Sequence, residues 1–522
     1  MKSKIFIKAL SILLGLTFCF GVVGCGESNH PTLPDYSEVA DSYDFLAYSP
    51  PNKGVYQFSN STDIVELGPD LRTVEGYTVY KDAGFNMLML SGTAAYDGEV
   101  PFEQSETCRA WDNALKAGLN RMIVNDRRIR DLIERKGALI NENGSIKNEQ
   151  ELKEVVKTYL SDYATKEGFY GIILRDEPDY TYVKSIGWVC EAIRQAAKEL
   201  GHEDIYLNLN LLPYDNVYSR FGAEGQYESM GEAYEGYVRS FLEATKLDRI
   251  SVDVYAFRAK GISGQFYSTA QLFRRLADEY GVEVSFCLQS FQMFTGSTMN
   301  YRMVDKNDMF FEIYTLMSFG FDQFAYYTYS NPDKETSGHW PNNSSFVNVD
   351  GSLSNIYYYG QEVMANAQAM SDIILNYKHL GSKFYMAKLA NFDNSPYLAA
   401  PAGVVKIFDE DGNVHTKSSS LKFDNTYEFK HVNKVDFDND VVYIAEMFDD
   451  DNQLYMYMVQ NVINPIYGEV GRTAENVKVT FEGDFTYVAE LKDGNLNYVK
   501  LKDGVYEKTL SAGHAVYLIP LK

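Results

Sequence analysis

A chain of 522 residues is long enough for a barrel-sized domain and a second module, and 45% hydrophobic with 23% charged residues is the composition of a globular protein. The net charge of −24 excludes nucleic acid and anionic membrane surfaces as main partners, because phosphate binding needs clustered Lys and Arg. Aromatic residues reach 14%, with 41 Tyr, which suits sugar stacking and β-structure equally.

In chain order, Lys2 and Lys4 precede an apolar run over residues 5–23 that closes on Val22-Val23-Gly24-Cys25. A basic start, an apolar stretch and a small residue before Cys resemble a bacterial lipoprotein signal. Residues 1–24 are expected to be removed and Cys25 to carry lipid. Residues 25–40 are then a polar tether, holding the protein to the membrane outside the cytoplasm. No later stretch approaches the ~20 apolar residues of a membrane span. Cys108, Cys190 and Cys287 are widely spaced and odd in number, so they read as buried apolar side chains and not as a disulfide framework.

From residue 41, short β-rich runs alternate with amphipathic segments. Strands are predicted over 43–48, 86–90, 121–124, 170–174, 205–211, 249–255, 282–288 and 323–329. Helices are predicted over 71–83, 106–117, 149–164, 182–200, 232–244, 270–280, 306–319 and 355–376. Eight strand–helix units predict an α/β fold, a (β/α)₈ TIM barrel over 41–378. Further strands over 441–446, 454–459, 477–481 and 515–520 lie between Asp, Gly and Asn turns. They predict an all-β, sandwich-like C-terminal domain over 379–522, expected to brace the barrel.

A TIM barrel carries its chemistry at the C-terminal ends of its strands. Those positions offer Asp126 after strand three, Asp176 and Glu177 after strand four, and Asn208 and Asn210 on strand five. Asp253, Tyr255 and Phe257 follow on strand six, Gln289 and Phe291 on strand seven, Tyr329 on strand eight, and Trp340 in the loop beyond. Adjacent carboxylates leaving a buried strand repel each other, so one is expected to hold its proton near neutrality. With Glu177 as that acid and Asp176 ionised, the simplest chemistry is protonation of a glycosidic oxygen. Asp308 reads instead as a helix cap. The seven His lack the spacing of a zinc helix, and no Gly-x-Ser-x-Gly elbow occurs, so neither a metal, a cofactor nor a serine nucleophile is expected.

The ordered segments GFYGIILRDEP, LNLNLLP, DRISVDVYAF, VSFCLQSF and FGFDQFAYYTYSNP resemble (β/α)₈ glycoside hydrolases of the clan A, family 42-like type. The resemblance implies a carbohydrate substrate and makes Glu177 the general acid/base. Two positions depart from it. Asp176 stands where the clan usually has Asn, and Gln289 stands near the place of its strand-seven Glu nucleophile. An Asp-Glu pair after strand four is similar instead to substrate-assisted N-acetylhexosaminidases. There the Asp orients the substrate's acetamido group, which attacks in place of a protein nucleophile, and Tyr255 or Asn210 can hold its oxygen. Inversion with Asp253 or Asp126 as base is the rival mechanism. Phe257, Phe291, Tyr329 and Trp340 are stacking candidates. The alternative function is a non-catalytic glycan-binding lipoprotein on a degenerate barrel.

Overall fold

The computed structural model describes residues 30–522 except 38–41, 58–63, 138, 215–216, 223–225, 260, 296–297, 331–341, 344, 349, 387–401, 409–412, 439–440 and 463–473. The signal, Cys25 and Trp340 lie outside the described residues.

Eight parallel strands form one sheet: β1 (Asp44–Ala47), β2 (Leu88–Leu90), β3 (Met122–Val124), β4 (Phe169–Asp176), β5 (Tyr206–Leu211), β6 (Arg249–Asp253), β7 (Glu283–Gln289) and β8 (Gln323–Tyr327). From β2 to β8 each strand pairs with its sequence neighbours, and β8 pairs back onto β1, so the sheet curls into a barrel. The seam between β1 and β2 has no regular ladder. Asn86 bridges it, its side chain accepting from Phe45 N (2.9 Å) and donating to Tyr43 O (2.9 Å), while Met87 N donates to Phe45 O (3.2 Å).

The strands are short apolar runs because their neighbours cover both faces. Leu46, Met89, Ile123, Ile173, Cys287 and Ala325 fill the barrel interior. Outside lie α1 (Val74–Asp82), α2 (Glu106–Lys116), α3 (Glu149–Ser161), α4 (Val183–Glu199), α5 (Met230–Thr245), α6 (Gln265–Tyr280), α7 (Lys306–Ser318) and α8 (Asn355–Ile374). Thr73, Ser105, Asn148, Ser229, Asp305 and Ser354 start six of them by accepting from a backbone N–H of the first turn. Asp308 completes a capping box with Asp305 at α7. Gly281 ends α6 in the left-handed conformation (φ 66°) that a side chain would strain.

Three additions were not anticipated. A hairpin (Lys53–Gln57 and Ile64–Asp70) follows β1, and a short helix (Arg127–Ile133) follows β3. Short antiparallel strands from the loops after β6, β7 and β8 form a small sheet above the barrel: Phe257–Arg258, Gly261–Ile262, Gln292–Thr295, Thr298–Tyr301 and Asn342–Asn343.

The C-terminal region is antiparallel. Strands Lys378–Met386, Val441–Asp449, Leu454–Asn461, Tyr487–Lys492, Asn495–Lys500 and Ala515–Leu521 form a six-stranded sheet, and Val432–Phe437, Glu475–Phe481 and Val505–Leu510 a three-stranded one. The two share a core that includes Val442, Ile444, Tyr457, Val477, Val479 and Leu510. The other face of the larger sheet joins the barrel's own core through Tyr443, Met447, Met456 and Tyr517.

Residues 30–37, expected as tether, dock on this module. Tyr36 is buried, its hydroxyl donating to Asp449 Oδ2 (2.8 Å), and Leu33 N donates to Tyr498 (3.1 Å). Cys108, Cys190 and Cys287 are free and buried. No helix among the described residues is long and apolar enough to cross a membrane.

Candidate active site

The C-terminal ends of the barrel strands open into a cavity of about 490 Å³, lined among others by Tyr48, Asp176, Glu177, Asn210, Asp253 and Tyr255. A cavity of about 570 Å³ lies at the opposite, N-terminal end. Its charges neutralise one another, with Arg121 on Asp44 (2.6 Å) and Arg249 on Asp322, so it reads as structural packing.

The site begins with a fault in the ladder. The β4–β5 register slips between Ile173 and Arg175, so one extra residue turns the end of β4, and Asp176 comes to lie beside Asn210. Glu177 follows with φ 43°, a left-handed conformation uncommon for a residue with a side chain. Its N–H is tied to Asn210 O (2.9 Å). The next carbonyl, Pro178 O, accepts from Tyr237 on α5 (2.6 Å), and the same hydroxyl accepts from Leu212 N (3.0 Å). The strained turn is therefore held from both sides.

Asn210 organises the carboxylates. Its Nδ2 donates to Asp176 Oδ1 (3.0 Å) and to Asp253 Oδ1 (2.9 Å), and its Oδ1 accepts from Ser251 (3.0 Å). Glu177 stands close enough to Asp253 for its charge to disfavour ionisation of that aspartate. Burial, then the charges of Glu177 and Asp176, hold the Asp253 carboxyl well above the usual carboxylate range. Asp176 opens to the solvent of the cleft, but protein atoms ring it. Their desolvation pushes it up to about 6, opposed by the Asn210 hydrogen bond and reinforced by Glu177. Arg175, a possible partner for Asp176, instead pairs with Glu134 and covers the Tyr182 ring (4.1 Å). Burial thus raises both aspartates, Asp176 and Asp253.

Beneath the floor, Asn208 is buried. It accepts from Tyr48 (3.3 Å) and donates to Tyr206 (3.0 Å), which donates to Gln323 (2.7 Å). Asn208 thereby sets Tyr48 and does not itself line the cavity. One wall is aromatic. Tyr255 meets Phe291 edge-on at 4.8 Å and Tyr301 at 5.7 Å, and Tyr327 lies 5.3 Å from Phe291.

Four candidates are placed elsewhere. Asp126 is fully buried, capping the short helix and bound by Arg128 (2.7 Å) and Tyr163 (3.0 Å). Gln289 is also fully buried. Its Oε1 accepts from Phe257 N (3.0 Å) and its Nε2 donates to Phe291 O (3.1 Å) and Arg302 O (2.8 Å), which clasps the loop after β6 to the loop after β7. Phe257 packs under Arg302 and on Phe311, and Tyr329 packs on Tyr80 and Phe85. None of the four lines the cavity. Residues the sequence reading missed are Tyr48, Arg220, Arg258, Tyr301 and Tyr327. Tyr48 and Tyr327 fall inside predicted strands, and their signal was an aromatic ring at a strand's C-terminal end. Arg258, Tyr301 and Arg220 come from loops whose course only the fold reveals.

No protein-family model and no curated protein matches the chain. Solved structures do. A β-galactosidase from the psychrophilic Marinomonas ef1 is 10% identical, with 64% of this chain and 60% of that chain covered, at a TM-score of 0.43. A glucosidase from Croceicoccus marinus is 10% identical over 92% of this chain and 96% of that one, at 0.41. A GH30 endoxylanase from Clostridium papyrosolvens C71 is 10% identical over 92% and 98%, at 0.39. Likeness this distant carries no inference about activity. The barrel stands on its own strand order, eight parallel neighbours in sequence with β8 returning to β1.

Proposed function

We propose that the cavity is the active site of a glycoside hydrolase, with Glu177 as general acid/base and Asp176 orienting the substrate's own nucleophile. The observation that carries this reading is the one-sided placement of the carboxylates. Among the described lining residues, the carboxylates are Asp176, Glu177 and Asp253, all gathered about Asn210. An inverting pair needs about 6.5–9.5 Å between carboxyl groups, and a retaining pair about 5–5.5 Å. Asp253 is held by Asn210 and pushed toward its protonated form by burial, which unsuits it as base or nucleophile, and Asp126 is sealed away.

A 2-acetamido sugar supplies what the wall lacks. Its carbonyl oxygen attacks the anomeric carbon as the glycosidic C–O bond breaks, and Glu177 gives its proton to the departing oxygen. Asp176, when ionised, accepts the acetamido N–H and sharpens the attacking oxygen. Water then opens the cyclic intermediate as Glu177 takes the proton back. Asn210 has both amide protons engaged by carboxylates, which leaves Tyr255 the better residue to meet the acetamido group. The aromatic wall offers π-faces to the apolar side of a sugar ring. Export on a lipid anchor at Cys25 would set this activity at the cell surface.

The test is hydrolysis of aryl N-acetyl-β-hexosaminides and aryl β-hexosides by wild type and Glu177→Gln. The variant is expected to lose at least ~10²-fold in kcat, as for a missing general acid. Replacing acetamido by hydroxyl is expected to abolish turnover by wild type. Equal rates in both proteins would remove Glu177 from the mechanism, and saturable glycan binding without any turnover would favour the binding-protein alternative.

A further inference from the structure

Two arginines, Arg220 and Arg258, line the cavity of a chain whose net charge is −24. Arg258 sits in the two-residue strand Phe257–Arg258, paired with Gly261 on one side and Tyr301 on the other. Its neighbours are fixed, with Ala259 N donating to Asn300 O (3.0 Å) and Arg302 N to Phe257 O (3.1 Å). The guanidinium lies 4.2 Å from the centre of the Tyr301 ring, a cation–π seat that holds it in place.

Arg258 is half-buried, and among the described residues no carboxylate pairs with it. Arg302, the residue that follows Tyr301, differs: it is engaged by Asp308. Nor do the cavity's acids need Arg258 as counter-ion. Asn210 serves Asp176 and Asp253, and Glu177 stands beside Asp253. Tyr301 lies within the field of Arg258 and of Asp253 and Glu177. A rigid guanidinium presents a planar fork of donors matched to carboxylate or sulfate.

We infer that the cavity takes an anionic saccharide, with a carboxylate or sulfate of the sugar on Arg258, near the glycosidic oxygen that Glu177 protonates. The inference deepens the glycosidase reading and rests on it for the ligand being a sugar. It makes Arg258 a specificity-determining residue that discriminates between charged and neutral chains.

Calorimetric titration of the Glu177→Gln protein separates the two readings, since that variant is not expected to turn the probes over. Three probes are used: a tetrasaccharide alternating N-acetylglucosamine and glucuronate, the same chain with its carboxylates reduced to alcohols, and a 6-O-sulfated chitotetraose. A charged probe is expected to bind at least about tenfold tighter than the neutral one, in line with charge-assisted hydrogen bonds. The stronger charged probe identifies the anion. Adding Arg258→Gln is expected to erase the preference, and adding Arg258→Lys, the safer variant for folding, to keep part of it. Equal affinity for charged and neutral probes, no binding by any, or a preference that survives Arg258→Gln overturns the inference. A clear preference for charge in a wild-type protein that hydrolyses none of the probes overturns the hydrolase reading alone.

Discussion

Asp176 and Gln289 show how differently two strand-end residues can be used. Asp176 titrates at about 6 in the folded chain against 3.8 ordinarily, because desolvation disfavours its charge. A raised acid binds more protons folded than unfolded, so its contribution to stability falls as pH rises from 3.8 through about 6. Asp176→Asn removes that penalty while keeping an oxygen for Asn210. The variant is expected to melt above wild type at pH 8, with the difference vanishing toward pH 4. If activity needs ionised Asp176, wild-type kcat climbs through pH 6 and the variant's does not. Parallel melting curves for both proteins across pH would show that Asp176 is not desolvated. Gln289 has every polar side-chain atom engaged by backbone, with buried Glu312 facing its own N–H (3.5 Å). Gln289→Glu would set an acceptor against two carbonyls and a charge near Glu312. A loss of about 3 kcal/mol in urea unfolding and no gain of a nucleophile are expected. The sequence marked both residues by position alone. At Asp176 it could not tell whether the side chain points into the barrel mouth or away from it, because a single bulge in β4 reverses the alternation there.

Among the elements, the eight strands and eight helices were legible because each carries an apolar run or face, and six of the helices a capping side chain. The small sheet over the mouth was not, since strands of two to four residues leave no periodicity to read. Yet that sheet supplies Arg258 and Tyr301. The barrel seam was equally hidden. Asn86 there replaces strand pairing with two side-chain bonds to backbone groups of β1 and its approach. Asn86→Ala leaves the buried Phe45 N–H unpaired, while Tyr43 O keeps its bond from Gln368 (2.6 Å), for a loss of about 1–3 kcal/mol. Hydrogen exchange is expected to accelerate at Phe45 before it does at β5 or β6. Uniform acceleration over all eight strands would mean that the seam is no weaker than the rest.

For the whole molecule, the C-terminal module has no independent boundary toward the barrel. Tyr443 of the large sheet meets Tyr267 of α6 (5.1 Å) and Phe384 (5.0 Å), and Tyr517 donates to Tyr314 O on α7 (2.8 Å). Thr315 donates to Gln460 Oε1 (2.8 Å) across the same junction, and Tyr36 ties residues 30–37 to both Tyr377 (3.0 Å) and Asp449 (2.8 Å). Domains that touch through small polar interfaces move and melt separately, whereas a shared apolar core couples them. Described residues 30–522 are therefore expected to unfold in one calorimetric transition. Tyr443→Ala opens a cavity in the fully buried junction, at a cost of about 3–5 kcal/mol by analogy with large aromatic truncations. It should lower that single transition without splitting it. Two resolved transitions in wild type, or a Tyr443→Ala protein whose barrel melts unchanged, would show that the β-module is an appendage and not a brace.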